Sequence, residues 1–273
     1  MSKNVLAVHD ISCIGRCSLT VALPIISSFG VETRLLPTAL LSTHTGGFTG
    51  FTYLDLTDEM RKILEAWEPL KLSFDSIYSG FMASAEQIDV LKGIIREYKT
   101  KKNVSVVDPV MADNGELYGV FDADFVKKMA ELIPFADVLT PNITEACLLT
   151  DTAYREVQDA EFIAELIGKL REKGAKSVVL TGVTYVAGEV GIAVSEENAE
   201  IKTYFARQIS GSYHGTGDVF GSVLTAKLVA GEELFEAAKT AVAFVIESIK
   251  ATPETADKRY GVEFEQVLAS KKF

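Results

Sequence analysis

The stretch VSVVDPVMADNG, residues 104–115, decides the fold to be expected of this chain. Its first four residues form a short apolar run rich in β-branched side chains, which predicts a buried strand of a parallel sheet. The run terminates at Asp108 and Pro109, and the residues that follow are polar. In open α/β sheets, ligands bind beyond the carboxyl ends of the strands. The stretch therefore predicts both a sheet and the edge of that sheet where a site lies.

Strand-like and helix-like segments alternate on both sides of this stretch. Predicted strands lie at 5–8, 31–36, 76–78, 104–107, 137–139 and 177–181, with a hairpin-like pair at 190–194 and 200–206. Predicted helices lie at 17–29, 57–67, 84–100, 122–133, 159–173, 217–230, 232–250 and 262–271. This alternation predicts an α/β fold with a mostly parallel central sheet and helices on both faces. No repeat or linker interrupts it, so we expect a single domain over residues 1–273.

Polar or glycine-rich segments follow the carboxyl ends of most of the predicted strands. They are 9–12, 38–50, 79–80, 108–118, 140–145 and 181–182. Because the strands are expected to be parallel, these segments should share one edge of the sheet. Such an accumulation indicates a functional site rather than a packing requirement.

The charge of the chain limits its partners. There are 27 Lys and Arg against 38 Asp and Glu, a formal net charge of −11. This balance argues against a nucleic-acid surface, which needs clustered basic residues, and against docking on anionic lipid. A small phosphate ligand stays compatible, because backbone dipoles can hold an anion. With 48% hydrophobic residues the chain can build its own core, so disorder is not expected.

The three cysteines indicate a reducing compartment rather than a disulfide framework. Cys13 and Cys17 have no second pair nearby, so small buried side chains are favoured over a zinc site. The apolar run after the first residues is too short for a signal peptide, and no uncharged run approaches the roughly 20 residues of a membrane span. We therefore expect a cytoplasmic protein without a membrane partner.

The segment Gly215-Thr216-Gly217-Asp218 immediately precedes an apolar helix. Two glycines let the backbone turn tightly and approach a ligand, and the start of the helix presents free N–H groups to an anion. An aspartate that caps an ordinary helix would explain the same residues, so the spacing alone leaves both interpretations open. No Walker-type phosphate loop occurs in the chain, which leaves P-loop chemistry unsupported.

Two further segments contain oxygen ligands. Asp108 and Asp113 follow a predicted strand and could meet a hydrated Mg²⁺, although Asp, Asn and Gly are also ordinary turn residues. Asn142 and Glu145 have the spacing of a capping box, which accounts for them structurally. The alternative is that they project into the site as phosphate and metal contacts.

The segment 42–47, Ser-Thr-His-Thr-Gly-Gly, suits recognition of a small polar ring because it combines hydroxyls, an imidazole and glycines. Without further context, however, His44 is also explained as a surface loop histidine. His9, after the first strand, is expected to be buried and hydrogen-bonded rather than a ligand.

Together these segments resemble the ribokinase-like superfamily, because Asp-Pro-Val-Met, Thr-Pro-Asn-x-x-Glu-Ala and Gly-Thr-Gly-Asp occur in that family's order. The resemblance spans essentially residues 4–250. Within the superfamily the chain is most similar to the pyridoxal kinase group, through Ser12, the segment 42–46 and 108–110. It implies ATP-dependent phosphorylation of the 5′-hydroxymethyl group of a vitamin B6 pyridine, with Mg²⁺. It further implies a homodimer and leaves the need for a monovalent cation open.

The resemblance also implies roles for individual residues. Asp218 is implied as the catalytic base, and the backbone of Gly215, Thr216 and Gly217 as the anion hole. The substrate ring is assigned to Ser12, His44, Thr45 and Gly46. The nucleotide is assigned to Asp108, Thr140, Asn142, Glu145 and Thr181, and Mg²⁺ to Asp108, Asp113 and Glu145. Asp113 would open a short lid that runs through Tyr118. Since the helix N-terminus stabilises its charge, Asp218 is expected to be a weak base that accepts its proton late.

Three alternatives stay open. Hydroxymethylpyrimidine (phosphate) kinases resemble the chain at 214–217, but they usually carry Cys where Asp218 stands and often have a lid cysteine, which 109–118 lacks. Ala112 departs from the pyridoxal kinase pattern, which usually has Gly there. A non-catalytic nucleotide or vitamin sensor would be indicated by loss of Asp218 or of the two glycines, and all are present. A carbohydrate kinase is weaker, because residues 30–60 leave little room for the β-rich lid of those enzymes.

Overall fold

The computed structural model describes residues 3–197, 199–211 and 213–270. The chain forms two compact units. The first contains the residues up to Val104 together with those from Ser210 onward, and the second is Ser105–Ile209. A single domain over residues 1–273 stays a prediction.

The strands in the described ranges are numbered in chain order. They are β1 (Asn4–Ser12), β2 (Glu32–Leu41), β3 (Tyr53–Asp55), β4 (Ser76–Ser79), β5 (Val104–Val107), β6 (Ala112–Asp113), β7 (Glu116–Leu117), β8 (Val138–Leu139), β9 (Ser177–Val183), β10 (Glu189–Ser195) and β11 (Lys202–Arg207). The helices are α1 (Leu19–Ser28), α2 (Thr57–Trp67), α3 (Ala85–Tyr98), α4 (Ala123–Ala130), α5 (Ile143–Thr150), α6 (Ala160–Glu172), α7 (Thr216–Ala230), α8 (Leu234–Ala251) and α9 (Phe264–Ala269).

The first unit has a sheet with the order β4-β1-β2-β3. β1 is parallel to both β2 and β4, and β3 is antiparallel to β2. The apolar residues 5–8 of β1 are fully buried, as a central parallel strand requires. The parallel register brings the carboxyl ends of β1 and β4 together, with Val8 opposite Ser79.

Helix α7 is buried on nearly all sides in the first unit and packs against α1, α8 and β4. Position 221 on this helix requires glycine for a steric reason: a Cβ atom there would lie 2.3 Å from the hydroxyl oxygen of Tyr78 on β4. The close approach places the second turn of α7 against β4. This packing positions the segment 215–218.

The second unit has the strand order β11-β10-β9-β8-β5. β5, β8 and β9 are parallel, whereas β9, β10 and β11 are antiparallel, which confirms the hairpin predicted for the last two. β6 and β7 form a separate two-stranded hairpin. Helices α4, α5 and α6 belong to this unit, and α5 packs against α4, α6, β6 and β9.

Most predicted elements are confirmed, and the largest difference lies in β2. The prediction ended this strand at Leu36, but it continues to Leu41 and pairs with β3, which the sequence did not indicate. Part of the segment 38–50 is therefore strand rather than loop. The last predicted helix, 262–271, is shorter at Phe264–Ala269, and its final residue lies outside the described ranges. Within those ranges, no helix is both long and apolar enough to cross a membrane.

Candidate active site

Asp218 lies in the first turn of α7, three residues after the N-cap Gly215. Gly215 has a φ of 75°, a left-handed conformation that glycine adopts without strain. A Cβ atom on Gly215 would lie only 2.0 Å from the carbonyl oxygen of Arg16. The turn therefore requires glycine for both its conformation and its packing. It leaves the first N–H groups of α7 without a side-chain cap, as an anion site needs.

The carboxylate of Asp218 is enclosed by groups from the β1–α1 segment. Nδ1 of His9 lies 3.9 Å from its Oδ1, and the backbone N–H of Ser18 acts to lower its pKa. Burial, together with the nearby Asp10 carboxylate, raises the pKa of Asp218 to about 7. The expectation that Asp218 is a weak base is thus wrong, because loss of solvation outweighs the stabilising donors. The side chain is still 15% exposed, so it remains accessible.

Asp10 is a site residue to which no role was assigned from the sequence. It is 4% exposed, and it accepts hydrogen bonds from the hydroxyls of Ser12 and Ser18. Burial raises its pKa, and the two hydroxyls partly oppose that rise. The available signal was its place directly after the buried run of β1. Ser12 is fully buried and directs its hydroxyl at Asp10, and its contact with a substrate ring stays a prediction.

His9 is fully buried, as expected, but neither of its ring nitrogens has a hydrogen-bond partner. The expectation of a hydrogen-bonded histidine is therefore wrong. The ring contacts Tyr78 edge-on, and a Cβ atom on Gly80 would lie 2.2 Å from its Nδ1. Burial lowers the pKa of His9 to about 3, so the imidazole is neutral near pH 7. The side chain beside Asp218 is therefore polar but uncharged.

The loop after β2 is held by His44, which is 7% exposed and not a surface histidine. Its Nδ1 accepts a hydrogen bond from the backbone N–H of Gly46 at 3.1 Å, so Nε2 carries the proton and donates to the carbonyl oxygen of Arg259. The ring also lies 5.0 Å from that of His214. Gly46 permits this arrangement, because a Cβ atom there would lie 2.6 Å from the His214 ring. Thr45 is half-buried in the same loop.

The second unit carries the residues predicted to bind nucleotide and metal. Asn142 and Glu145 form the predicted capping box of α5. Glu145 also accepts from the backbone N–H of Met111 at 3.1 Å, and the Asn142 amide donates to the carbonyl oxygen of Ala112 at 2.8 Å. The capping box therefore also anchors the segment after β5. Burial raises the pKa of Glu145 to about 8, although the backbone N–H groups that donate to its carboxylate act to lower it.

The segment predicted as a lid is the hairpin β6–β7. Asn114 and Gly115 both have positive φ, 52° and 83°, which fits the tight Asn-Gly turn of a two-residue hairpin. Asp113, on β6, is exposed and accepts a hydrogen bond from the Asn114 backbone N–H at 2.9 Å. The backbone N–H of Tyr118 donates to the Met111 carbonyl at 2.9 Å, so the base of the hairpin is closed.

Three other predicted residues lie at or near the carboxyl ends of strands in the second unit. Asp108 follows β5 and is 9% exposed. The backbone N–H and hydroxyl of Thr140 both donate to the carbonyl oxygen of Val107, at 3.0 and 3.4 Å. Thr181 forms a parallel bridge with Asn142. Asp108 and Thr140 directly follow their strands, as expected, whereas β9 continues past its predicted end and Thr181 lies within it, two residues before Val183. The nucleotide contacts of all three residues stay predictions.

The donor set limits how Mg²⁺ can be held. Among the described residues, no three His, Cys, Asp or Glu side chains lie close enough together to hold a metal ion. The oxygens of Glu145 accept backbone N–H groups, which leaves Asp108 and Asp113 as the better candidates from the predicted set. Mg²⁺ usually keeps several waters and binds one or two carboxylates together with substrate phosphates. The residues fit that mode and not an all-protein cage.

Comparison with known families and proteins gives a consistent result. The family profile described as phosphomethylpyrimidine kinase matches residues 23–263. A hydroxymethylpyrimidine/phosphomethylpyrimidine kinase of Aquifex aeolicus is 30% identical over 71% of this chain and 72% of its own length. A bifunctional thiamine biosynthesis protein of Geobacter sulfurreducens is 28% identical over 90% of this chain. The chain spans only 49% of the length of that protein.

Two solved structures extend the comparison. A Bacteroides thetaiotaomicron protein assigned to the phosphomethylpyrimidine kinases, crystallised with pyridoxal, is 39% identical with a TM-score of 0.94 over 99% of this chain and 96% of its own. Pyridoxal kinase of Lactobacillus plantarum is 32% identical with a TM-score of 0.88 over 98% of this chain and 96% of its own. These similarities confirm the ribokinase-like α/β fold, with a mostly parallel sheet flanked by helices.

Proposed function

The chain belongs to the phosphomethylpyrimidine kinase family, a family of kinases with alcohol acceptors, and from this premise we propose that it transfers the γ-phosphoryl group of ATP to the 5′-hydroxymethyl group of a vitamin B6 pyridine. The observation that carries the proposal is Asp218, a nearly buried carboxylate beside the uncapped start of α7, with a pKa raised to about 7. A base with a pKa near the working pH is suited to take the proton of an alcohol.

The residues of the first unit account for the acceptor side of the reaction. Asp218 accepts the hydroxyl proton as the oxygen attacks phosphorus. The backbone N–H groups of residues 215–217 face the negative charge that spreads over the transferring phosphoryl oxygens. Because phosphoryl transfer passes through a loose transition state in most analyses, positioning and charge stabilisation supply most of the rate. The loop that His44 holds would bound the pyridine ring.

The residues of the second unit account for the nucleotide side. We assign the ATP phosphates to Thr140 and Asn142, which follow β8, and to Thr181 near the end of β9. Asp108 and Asp113 are the residues that would hold Mg²⁺, which, when bound, neutralises charge on the β- and γ-phosphates. Glu145 acts by holding the backbone of Met111 in place. These assignments rest on the position of the residues at or near the carboxyl ends of the strands and on the contacts described above.

Two observations favour a B6 pyridine over a pyrimidine. Position 218 is Asp, where hydroxymethylpyrimidine kinases usually carry Cys, and the segment 109–118 contains no cysteine. The Bacteroides relative, 39% identical, was crystallised with pyridoxal. The second candidate function, hydroxymethylpyrimidine (phosphate) kinase, is favoured by the family description and by the Aquifex relative.

The deciding experiment measures ADP release with pyridoxal, pyridoxine, pyridoxamine and hydroxymethylpyrimidine in parallel, at saturating MgATP. We expect at least one B6 vitamer to have a kcat/KM about tenfold or more above that of the pyrimidine, the discrimination typical of one well-placed contact. A preference for hydroxymethylpyrimidine would establish the second candidate instead. ATP binding without turnover of any of the four compounds would indicate a non-catalytic sensor. Sedimentation of the same protein would test the homodimer that the resemblance implies.

A further inference from the structure

We propose that the turn at residues 257–261 holds the acceptor loop, residues 42–52 between β2 and β3, against the start of α7, and that Arg259 is the positioning residue through which it acts. The turn is a short 3-10 helix, Lys258–Tyr260, which Asp257 caps. The inference rests on the proposed function in one respect, the assignment of this loop to the acceptor. Its structural claim, that Arg259 orders the loop, can be measured without turnover.

Arg259 contacts the acceptor loop with both its backbone and its side chain. Its carbonyl oxygen accepts the hydrogen bond from Nε2 of His44. Its Nη1 donates to the carbonyl oxygen of Gly47 at 3.5 Å. Its guanidinium carbon lies 5.2 Å from the centre of the Phe48 ring, within the range of a cation–π interaction. One residue near the carboxyl end of the chain therefore reaches three positions of the loop.

The contact between Arg259 and the loop is close enough to constrain the sequence of the loop. A Cβ atom on Gly47 would lie 3.1 Å from both Cγ and Cδ of Arg259, so a larger residue there would have to displace the arginine stem. The Phe48 ring completes the contact, since it meets the rings of His44 and Tyr260 edge-on at 5.0 and 5.4 Å. The loop and the turn thus pack as one cluster.

The same turn is linked to the segments that shape the start of α7. The backbone N–H of Arg16 donates to the carbonyl oxygen of Tyr260 at 3.0 Å. The carbonyl oxygen of Arg16 is in turn the atom that a Cβ on Gly215 would meet. The ring of His44 lies 5.0 Å from that of His214, the residue directly before Gly215. The turn therefore fixes the acceptor loop relative to the N–H groups that precede Asp218.

The orientation of the Arg259 side chain is set by Asp257. The Asp257 carboxylate accepts from Nε and Nη2 of Arg259, at 3.0 and 2.6 Å, and from its backbone N–H at 3.1 Å. The two side chains are 51% and 40% exposed. An ion pair so open to solvent adds little to stability. Its main effect is therefore to direct the guanidinium group at the loop.

An ordered acceptor loop has a consequence for binding. A substrate that meets a loop already in its bound conformation does not pay the entropy of ordering it, so its affinity is higher. The same order aligns the acceptor hydroxyl with Asp218, and alignment of the reacting groups raises the rate. Loss of the Arg259 side chain should thus affect the acceptor and not ATP, which we assign to the second unit.

The test is amide hydrogen exchange of residues 42–52 in the free protein, measured by mass spectrometry for the wild type and Arg259→Ala. Exchange of a protected amide reports local opening, and the N–H of Gly46, bonded to His44, lies in this segment. We expect exchange to become about fivefold faster in Arg259→Ala, the size of effect expected for a partly exposed cation–π contact. Unchanged exchange overturns the proposal.

Arg34→Ala is the matched control. Arg34 also pairs with a carboxylate two residues before it, that of Glu32, donates to a backbone carbonyl, that of Ser73 at 3.3 Å, and lies 5.7 Å from an aromatic ring, that of Phe74. It lies on β2, outside the acceptor loop. We expect Arg34→Ala to leave exchange of residues 42–52 within about twofold of the wild type. Equal acceleration by the two variants would mean general loosening and would overturn the proposal.

A second variant tests the path through Phe48. Phe48→Leu keeps an apolar side chain but removes the ring that faces the guanidinium group. We expect it to accelerate loop exchange by itself, and we expect Arg259→Ala to add much less in the Phe48→Leu background than in the wild type. Equal effects of Arg259→Ala in the two backgrounds would contradict the linkage.

The kinetic measurement separates this inference from the proposed function. In an active enzyme, Arg259→Ala should raise the acceptor KM about fivefold and leave the ATP KM within about twofold. If the wild type phosphorylates none of the four acceptors, the proposed function fails, while hydrogen exchange still decides whether Arg259 orders the loop. If the wild type is active and the acceptor KM of Arg259→Ala is unchanged, the positioning role fails alone.

Discussion

Nδ1 of His9 lies 3.9 Å from Oδ1 of Asp218, but the two residues do not form an ion pair at neutral pH. His9 is completely buried, and burial lowers its pKa to about 3, so it is uncharged wherever Asp218 is ionised. Asp218 therefore faces a neutral imidazole that offers no compensating positive charge. Burial is the main reason that the pKa of Asp218 is raised rather than lowered, and the nearby Asp10 adds to it, while His9 supplies no charge that would oppose it.

Replacement of Asp218 by Asn should lower turnover by roughly 10²- to 10⁴-fold, the range for loss of a general base. The asparagine keeps the size of the side chain but cannot accept the alcohol proton. Steady-state ADP release with the best acceptor measures the effect. Asp124→Asn, an exposed aspartate in the first turn of α4, is the matched control and should keep wild-type turnover. Near-wild-type turnover of Asp218→Asn would remove Asp218 from the mechanism.

The activity should depend on pH through Asp218. Its pKa is raised to about 7, and the base must be deprotonated, so kcat/KM should fall as the pH drops below 7, by about tenfold per pH unit. An aspartate with an ordinary pKa would place this fall in kcat/KM near pH 4. A profile of kcat/KM from pH 5 to 9 in buffers of constant ionic strength measures it, and a flat profile down to pH 5 would contradict the assignment.

The same pKa predicts that Asp218 limits stability. A carboxyl whose pKa is higher in the folded state, about 7, than in the unfolded state, 3.8, binds its proton more tightly when folded. The contribution of Asp218 to the free energy of unfolding therefore decreases as the pH rises from about 4 to 7, by on the order of 1.4 kcal/mol for each pH unit. Asp218→Asn should consequently melt at a higher temperature than the wild type at pH 8.

The control for this stability effect is its pH dependence. Near pH 4, wild-type Asp218 is protonated, and the difference in melting temperature should vanish. Asp124→Asn should show no such gain at pH 8, because a hydrogen bond from Lys127 lowers the pKa of Asp124. An Asp218→Asn protein that is less stable than the wild type at pH 8 would mean that the carboxylate is satisfied in the folded state.

His44→Ala should weaken binding of the acceptor more than binding of ATP. The substitution leaves the backbone N–H of Gly46 and the carbonyl of Arg259 without their partner, and because both bonds are only partly buried the cost should be about 1 kcal/mol. We expect a lower melting temperature and a rise of about tenfold in acceptor KM, with the ATP KM changed by less than about twofold. Thr49→Ala, at an exposed position in the same segment, is the control. Equal changes in both KM values would argue against a role in the acceptor site.

Glu145→Gln should destabilise the protein more than it alters the response to Mg²⁺. One amide nitrogen replaces an oxygen that accepts a backbone N–H from Met111 or Asn142, which should cost about 1–3 kcal/mol. Mg²⁺ titrations of activity should give a half-saturation point within about twofold of the wild type, since no metal contact is lost. Glu161→Gln, in the first turn of α6, is the matched control. A large rise in the Mg²⁺ requirement would restore Glu145 as a metal ligand.

The sequence by itself determined the elements of the fold and the edge at which the site lies. Apolar runs such as 104–107 and helical periodicities such as 57–67 are local properties, because side-chain burial alternates with the geometry of one strand or helix. The capping box at Asn142 and Glu145 is equally local, and it forms as predicted. Asp218 was indicated as a candidate site residue because Gly215 and Gly217 precede it at the start of an apolar helix.

Only the tertiary structure decided the electrostatics and the contacts between distant residues. His44 and Arg259 lie 215 positions apart, and nothing in either local segment indicates their hydrogen bond. The pairing of β3 with β2 also depends on residues outside the local segment. The pKa of Asp218 reversed its expected direction, because a helix N-terminus is visible in a sequence but the removal of water by packed neighbours is not.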